Sequence, residues 1–315
     1  MRQPDSKSFV RYGLMAFAAT LLVYAFVAGG YLITVLSFAA IYAIFVTGLN
    51  FFMGYAGQVS FGQNAFAALS GYTSAVLTST YGWQPLTALP IGVGGAVILA
   101  FLVGYPALRL RGHYLAMATL ALGMIVYEIA IEWESVTQGY MGISGIPPFS
   151  IGNWELNDQK YQLAFLIAVL SIALVAAYRL KESRFGMALS AIAGSEDAAQ
   201  ALGIQVSRYK LAAFVIAAVY AAIAGSLMVH FVGFVSPEVF GLHMVISGFM
   251  MLYVGGIGSI AGPLFGALII SLLPETFRAF KDYQDLAYGA ALIVILIFAP
   301  KGAASLARLL PESRK

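Results

Sequence analysis

Apolar runs long enough to cross a bilayer follow one another through this chain and leave it few possible folds. Candidate spans cover about 13–30, 31–52, 65–77, 86–108, 113–131, 161–179, 210–232, 243–258, 260–274 and 286–300. A spanning helix takes about 20 apolar residues, a barrel strand only about 10 in strict alternation. These runs do not alternate. Backbone polar groups in lipid must be satisfied internally, so helices are the expected form. Only 10% of the 315 residues are charged and 61% are hydrophobic, against about 25% charged in a soluble domain. The expectation is an all-α, polytopic membrane helix bundle of about ten transmembrane helices, with a range of roughly eight to eleven.

Charge sets the orientation. Basic residues gather at Arg2, Lys7 and Arg11, at Arg109 and Arg111, between Arg179 and Lys210, and at Lys301, Arg308, Arg314 and Lys315. Cytoplasmic loops carry the excess of Lys and Arg. Ten crossings from a cytoplasmic N-terminus put every one of these groups inside, so both termini are expected to be cytoplasmic. Residues 1–12 form one tail, 13–300 a single permease domain and 301–315 the other tail. The basic start followed by an apolar run reads as a first membrane helix, since more spans follow and no A-x-A cleavage site is evident. The loop 132–160 carries Glu132, Glu134, Glu155 and Asp158 with one basic residue, Lys160, and is expected to face outward. The loop 275–285, with Arg278 and Lys281, fits the scheme least well.

The longest polar interruption lies at 180–209. Glu196 and Asp197 open a stretch of small residues, Ala198, Ala199 and Ala201, ahead of Gly203. That pattern predicts a short helix of low profile ended by glycine. Ordinary connections are a few residues long, so a loop of this length with helical composition points to a docking element for a soluble partner. The basic residues serve topology, and nucleic acid is not an expected partner.

A second interruption runs from Gly54 through Tyr55, Gly57, Gln58, Ser60 and Gly62 to Gln63 and Asn64. Irregular backbone at membrane depth is tolerated where it lines a cavity or is covered by protein. These polar groups are candidates to line a translocation path; close packing of small residues is the alternative. The segment 255–266 has the same character. Glu128 is the carboxylate deepest in a predicted span, where a central charge costs about 2.5–3.5 kcal/mol on insertion scales. It either faces the bundle interior or reaches toward the outer surface. His113, His230 and His243 fall at span ends and match no metal spacing, so interfacial positions are expected for them. There is no cysteine, hence no disulfide or thiolate metal site. No catalytic motif and no G-x-x-x-x-G-K-[ST] loop is present, so neither an enzyme nor a cofactor of its own is expected.

Four blocks carry a family resemblance: 48–66, 106–123, 253–267, and the central stretch from Ser183 to Leu227. In their order along the chain they resemble the branched-chain amino acid ABC importer permeases of the LivM type. Glu196, Ala198, Ala199 and Gly203 match the E-A-A…G core of the segment that couples such permeases to their ATPases. The resemblance implies a multi-pass subunit of a bacterial inner membrane. Its partners would be a LivH-type sister permease, two cytoplasmic ATPase subunits that bind the ATP, and a periplasmic or surface solute-binding protein. Leucine, isoleucine and valine are the implied solutes; urea, short amides and aromatic acids are the alternatives within the class. An ion-coupled secondary transporter or channel is the alternative outside it, for which Glu128 would be the coupling residue. The chain departs from the pattern at Gln138, where relatives often have glycine, and at Gln63, where they often have histidine.

Overall fold

The computed structural model describes residues 30–151, 154–276 and 289. The spans expected at 13–30 and 286–300, both tails and the loop 275–285 lie outside the described residues, apart from Gly30, Glu275, Thr276 and Gly289. The described chain is helical. The helices are α1 (Gly30–Asn50), α2 (Gln63–Ser79), α3 (Pro85–Ala107), α4 (His113–Glu132), the one-turn α5 (Glu134–Thr137) and α6 (Gln159–Lys181). They continue as α7 (Arg184–Gly194), α8 (Glu196–Ala201), α9 (Val206–Val232), α10 (Leu242–Gly255) and α11 (Gly262–Thr276). Six of the helical stretches are long and apolar enough to cross a membrane, and α11 is a shorter apolar helix. Boundaries follow the expected spans closely. The polar loop is shorter than 180–209, because α6 runs on to Lys181 and α9 starts at Val206.

An all-helical chain was expected, and short strands occur as well. β1 (Ile143–Ser144) pairs antiparallel with β4 (Phe234–Val235), and β2 (Ser150–Ile151) pairs with β3 (Trp154–Glu155). Pro147, Pro148 and the glycines of this loop cannot sustain a helix, and the loop instead closes over the end of α9.

Two helices form the centre. In the apolar 18-residue parts of Gly30–Tyr55 and Val206–Val232, 72% of the residues are buried, against 22% in that of Pro85–Ala107, which places α3 at the periphery. α9 packs on α2, α1 and α3, while α11 packs on α10 and α1. Small residues permit the approach. Ala217, Ala218, Ala221, Ala222 and Ala224 of α9 are almost fully buried, and Gly225 lies so close to the backbone of Ala67 in α2 that a Cβ there would overlap the Ala67 carbonyl. Packing of this kind is what holds helices together in lipid, which offers no hydrophobic drive. Gly225→Val is therefore expected to separate α9 from α2. Backbone cannot yield as a side chain can, so the cost should exceed the roughly 1–3 kcal/mol of ordinary overpacking. Fluorescence-detected gel filtration after heating should show a clear fall in melting temperature, with Gly94→Val, whose Cβ meets nothing within 4 Å, as the control.

Polar elements collect at one end of the bundle. α1 widens into a π-helical turn at Phe51–Tyr55 and then gives way to irregular chain up to Gly62. The α3–α4 turn with Arg111, the end of α6, α7, α8 and the α10–α11 turn all lie at this same end. Asn50 ties two of these together. Its Oδ1 accepts from the Gly258 N–H at 2.9 Å, and its Nδ2 donates to the Ser259 carbonyl at 2.7 Å. Lys181 Nζ donates to the Gly258 carbonyl at 2.9 Å and sits 5.0 Å from the centre of the Tyr55 ring.

Candidate functional site: a docking helix and a mid-depth cavity

The polar segment between α6 and α9 is built by local rules. Ser183 caps α7 by accepting from the Phe185 N–H, and Ser195 caps α8 by accepting from the Ala198 N–H. Glu196 and Asp197 occupy the first turn of α8, where negative charge meets the positive end of the helix dipole. Gly203 ends the helix at φ +84°. The Ile204 N–H reaches the Ala199 carbonyl at 3.1 Å and the Gly203 N–H the Gln200 carbonyl at 2.9 Å, the paired bonds of a glycine-ended helix. The expected helix at 196–201 is thus present. α7 was not expected, because its alternation of Phe185, Met187, Leu189 and Ile192 with small residues reads as loop beside the long spans.

The four motif residues divide by direction. Ala199 packs inward, while Ala198 and Gly203 face out and a Cβ on Gly203 would meet nothing. Leu202 beside them is 81% exposed, an apolar knob on a polar surface. Glu196 faces the body of the protein. Its Oε1 accepts from Lys210 Nζ at 2.8 Å and from Gln58 Nε2 at 2.9 Å, and Arg111 Nε lies 3.8 Å from its Oε2. One carboxylate therefore joins α8 to α9, to the irregular segment after α1, and to the α3–α4 turn. Gly57, at φ +66°, lets that segment pass close against Ala193 of α7.

Burial alone would raise the Glu196 carboxyl. The Lys210 ammonium, by hydrogen bond and charge, then Gln58 and Arg111, outweigh that and hold it below the ordinary carboxylate value. A lowered folded value means that the tie is complete above the ordinary value of 4.5 and is lost only as pH falls through the lowered one. A spin label on exposed Ala201 should keep its mobility from neutral pH down to 4.5 and gain motion only below it. Glu196→Gln should remove that step; a step above pH 4.5 would contradict the sign.

The other expected path residues separate from Gln58. Phe61 donates its N–H to Thr119 Oγ1 at 3.1 Å, so α2 starts well inside α4, roughly 9 Å beyond its first residue. Asn64 lies against Gly123, where a Cβ would crowd its side chain. Gly123 is near the middle of the 20-residue α4, roughly 15 Å from its start. Asn64 is therefore at mid-depth. It lines a cavity of about 360 Å³ between α4 and the segment 238–245, with Gly123, Tyr127, Glu128, Glu238 and His243. Glu128 and Asn64, expected separately, share one cavity. Gln63 is 2% exposed, and both of its amide atoms lack a hydrogen-bond partner. Gly54, Tyr55 and Ser60 are placed elsewhere. Gly54 packs so closely that a Cβ on it would overlap Asn50 and Gly258, the Tyr55 hydroxyl accepts from Asn50 Nδ2 at 3.3 Å, and the Ser60 hydroxyl accepts from the Gly62 N–H.

One expectation requires correction. His230 is 2% exposed, not interfacial. Its Nδ1 lies 2.7 Å from the Pro147 carbonyl, which can only accept, so Nδ1 carries the proton. Nε2 then accepts from Ser74 Oγ at 2.8 Å, and Ser74 accepts from Ser226 at 3.0 Å. This chain of bonds pins the 132–160 loop onto α2 and α9. Gln138 sits at φ +60°, a left-handed backbone that glycine takes without strain, so this departure concerns the backbone of the loop. Glu238 and Asn50 were missed. Asn50 stood as a lone polar residue in an apolar run, which was the available signal; Glu238 had none, since its segment is brought to α4 only by tertiary folding.

A bundle of apolar helices with polar breaks, six of them long enough to cross a bilayer, is the architecture of a multi-pass membrane protein. The family model described as branched-chain amino acid transport system / permease component matches residues 31–299, and the chain belongs to that family. It is 33% identical over 299 residues to the high-affinity branched-chain amino acid transport system permease protein LivM of Escherichia coli K12, covering 87% of this chain and 68% of the relative. The LivM protein of Salmonella typhimurium is 31% identical over 326 residues, covering 96% and 75%. The LivH permease of E. coli K12 is 26% identical over 285 residues, covering 83% and 90%.

Proposed function

We propose that the chain is one of two membrane subunits of an ABC importer for leucine, isoleucine and valine in a bacterial inner membrane. The end that carries α7, α8 and Arg111 faces the cytoplasm, as its basic residues favour, and the 132–160 loop faces outward. Ten helices with both termini inside complete the topology, around a single permease domain. A LivH-type sister subunit closes the cavity between α4 and α10. Two ATPase subunits bind the ATP and seat on α8 through Ala198, Leu202 and Gly203. A solute-binding protein delivers substrate to the outer loops.

The observation that carries this is the Glu196 node. A docking helix hung on a flexible loop would absorb a push; one bonded to Lys210 of α9 and to Gln58 transmits it. Movement of α8 then pulls on the segment 56–62, which leads directly to Asn64 at mid-depth. ATP closure of the ATPases is in this way linked to the path. Asn64, which lines the cavity, gives a solute a polar neighbour without forming a tight site. The test is uptake of labelled leucine into proteoliposomes holding all four membrane-associated chains, with the binding protein outside and ATP trapped inside. Uptake that needs both is expected. Uptake driven by an ion gradient with ATP absent would contradict it.

A further inference from the structure

The segment from α7 to α8 is fastened to the bundle at both of its ends. At the α8 end Glu196 reaches α9, Gln58 and Arg111. At the α7 end stands Lys181, the last residue of α6. α7 rests on its backbone, since a Cβ on Gly186 would overlap the Lys181 carbonyl. The Lys181 ammonium donates to the Gly258 carbonyl at 2.9 Å. The N–H of the same glycine donates to Asn50 Oδ1 at 2.9 Å, and Asn50 Nδ2 donates to the next carbonyl, that of Ser259, at 2.7 Å. The α10–α11 turn is thus held through its backbone by side chains from two other helices, and one of these, α6, leads into α7. Asn50 is 1% exposed and spends both amide functions on this turn. Beside it α1 opens into the π-helical turn Phe51–Tyr55, a feature frequent at functional sites.

The two fastenings converge on α10. Lys181 and Asn50 grip the turn at its end. At its middle Phe249 packs on Phe61, with ring centres 5.2 Å apart, in the segment that Gln58 ties to Glu196. The opposite end of α10 lines the cavity through Leu242, His243 and Val245. Packed helices can slide past one another. A turn whose N–H and carbonyl are both bonded cannot slide without breaking those bonds, and a charged donor makes the stronger kind. We infer that Lys181 is a positioning residue for transport: through the Gly258 turn that Asn50 completes, it makes α10 move as one body with α7. The inference deepens the permease reading and rests on it. A push on the docking segment reaches the cavity wall by two arms, one through Glu196 and the segment 56–62, the other through Lys181 and α10.

The chain has no cysteine, so Met187→Cys and Ile257→Cys introduce two label sites, one on α7 and one on the turn. The native side chains there are 62% and 41% exposed. The importer is assembled in proteoliposomes with cysteine-free partner chains and the binding protein. The distance between spin labels is measured by pulsed electron resonance without nucleotide and with ATP and vanadate. One narrow distance, the same in both states, is expected. Lys181→Met keeps the apolar stem and loses the donors, and should broaden the distance or split it between the states; Lys181→Arg should restore it. Without labels, leucine carried per ATP hydrolysed should fall about fivefold or more in Lys181→Met, the low end of couplings between sites, and recover in Lys181→Arg. A parent distance that shifts with vanadate overturns the inference, as does a Lys181→Met importer with distance and ratio unchanged. Uptake and ATP hydrolysis that fall in parallel with melting temperature, at an unchanged ratio, overturn it too. Each of these leaves the permease reading standing while the parent importer takes up leucine with ATP. A parent that takes up none strikes that reading, and the second arm with it.

Discussion

Glu196→Ala should leave the ATPase subunits hydrolysing ATP while uptake falls by roughly tenfold or more. The size follows from what is left behind. The Lys210 side chain is 3% exposed and Glu196 is its ion-pair partner at 2.8 Å. Removing one member of a buried pair costs about 3–5 kcal/mol, because the other charge stays buried without compensation. The protein escapes that cost by letting α8 leave the bundle and water reach Lys210. A detached α8 still meets the ATPases but no longer moves Gln58 or α9. Lys210→Met should do less harm, since Glu196 keeps 21% of its side chain exposed and retains Gln58 and Arg111. Glu196→Leu with Lys210→Met removes both charges and should restore thermal stability beyond either single change. Uptake and ATP hydrolysis measured together in proteoliposomes decide it. Parallel loss of both activities would show that the node holds the fold and does not transmit motion.

Asn64→Leu is the second large effect. Uptake should fall roughly tenfold, the scale set by about 1.4 kcal/mol on a barrier, with stimulation of the ATPases by the binding protein retained. The change removes the mid-depth acceptor and leaves the Phe240 carbonyl without its donor, which costs stability of about 1–3 kcal/mol. Asn64→Gln, which keeps both functions on a longer stem, should recover part of the uptake. The comparison of uptake with melting temperature separates path from packing. Uptake that tracks stability across Leu, Gln and Ala would place Asn64 in the packing of α2 against α4.

Span positions were legible because hydropathy at helix length is a one-dimensional signal, and α1, α3, α4 and α6 end within a few residues of where it placed them. α8 was legible too, since the acidic pair, the small residues after it and Gly203 are local signals, whereas its Ser195 cap was seen only in the structure. What these residues touch was not. Nothing near Glu196 in sequence points to Gln58, 138 residues away, and the pairing depends on how α1 and α9 cross. The 54–64 interruption was expected to act as one unit, yet it spans two depths. Gln58 reaches α8 and Asn64 reaches the middle of α4, because α2 starts inside the bundle. His230 was misjudged for a related reason. A histidine at a helix end is ordinarily wet, and only the folded 132–160 loop, through Pro147, covers it.

The most direct test of the central claim is recovery of this chain from its native membrane in mild detergent, with mass spectrometry of the chains that accompany it. A second permease and ATPase subunits should come with it in fixed proportion, and Gly203→Trp, which fills the open face of α8, should release the ATPases while keeping the sister permease. A chain recovered alone, from membranes in which other complexes survive the same treatment, would contradict the importer assignment.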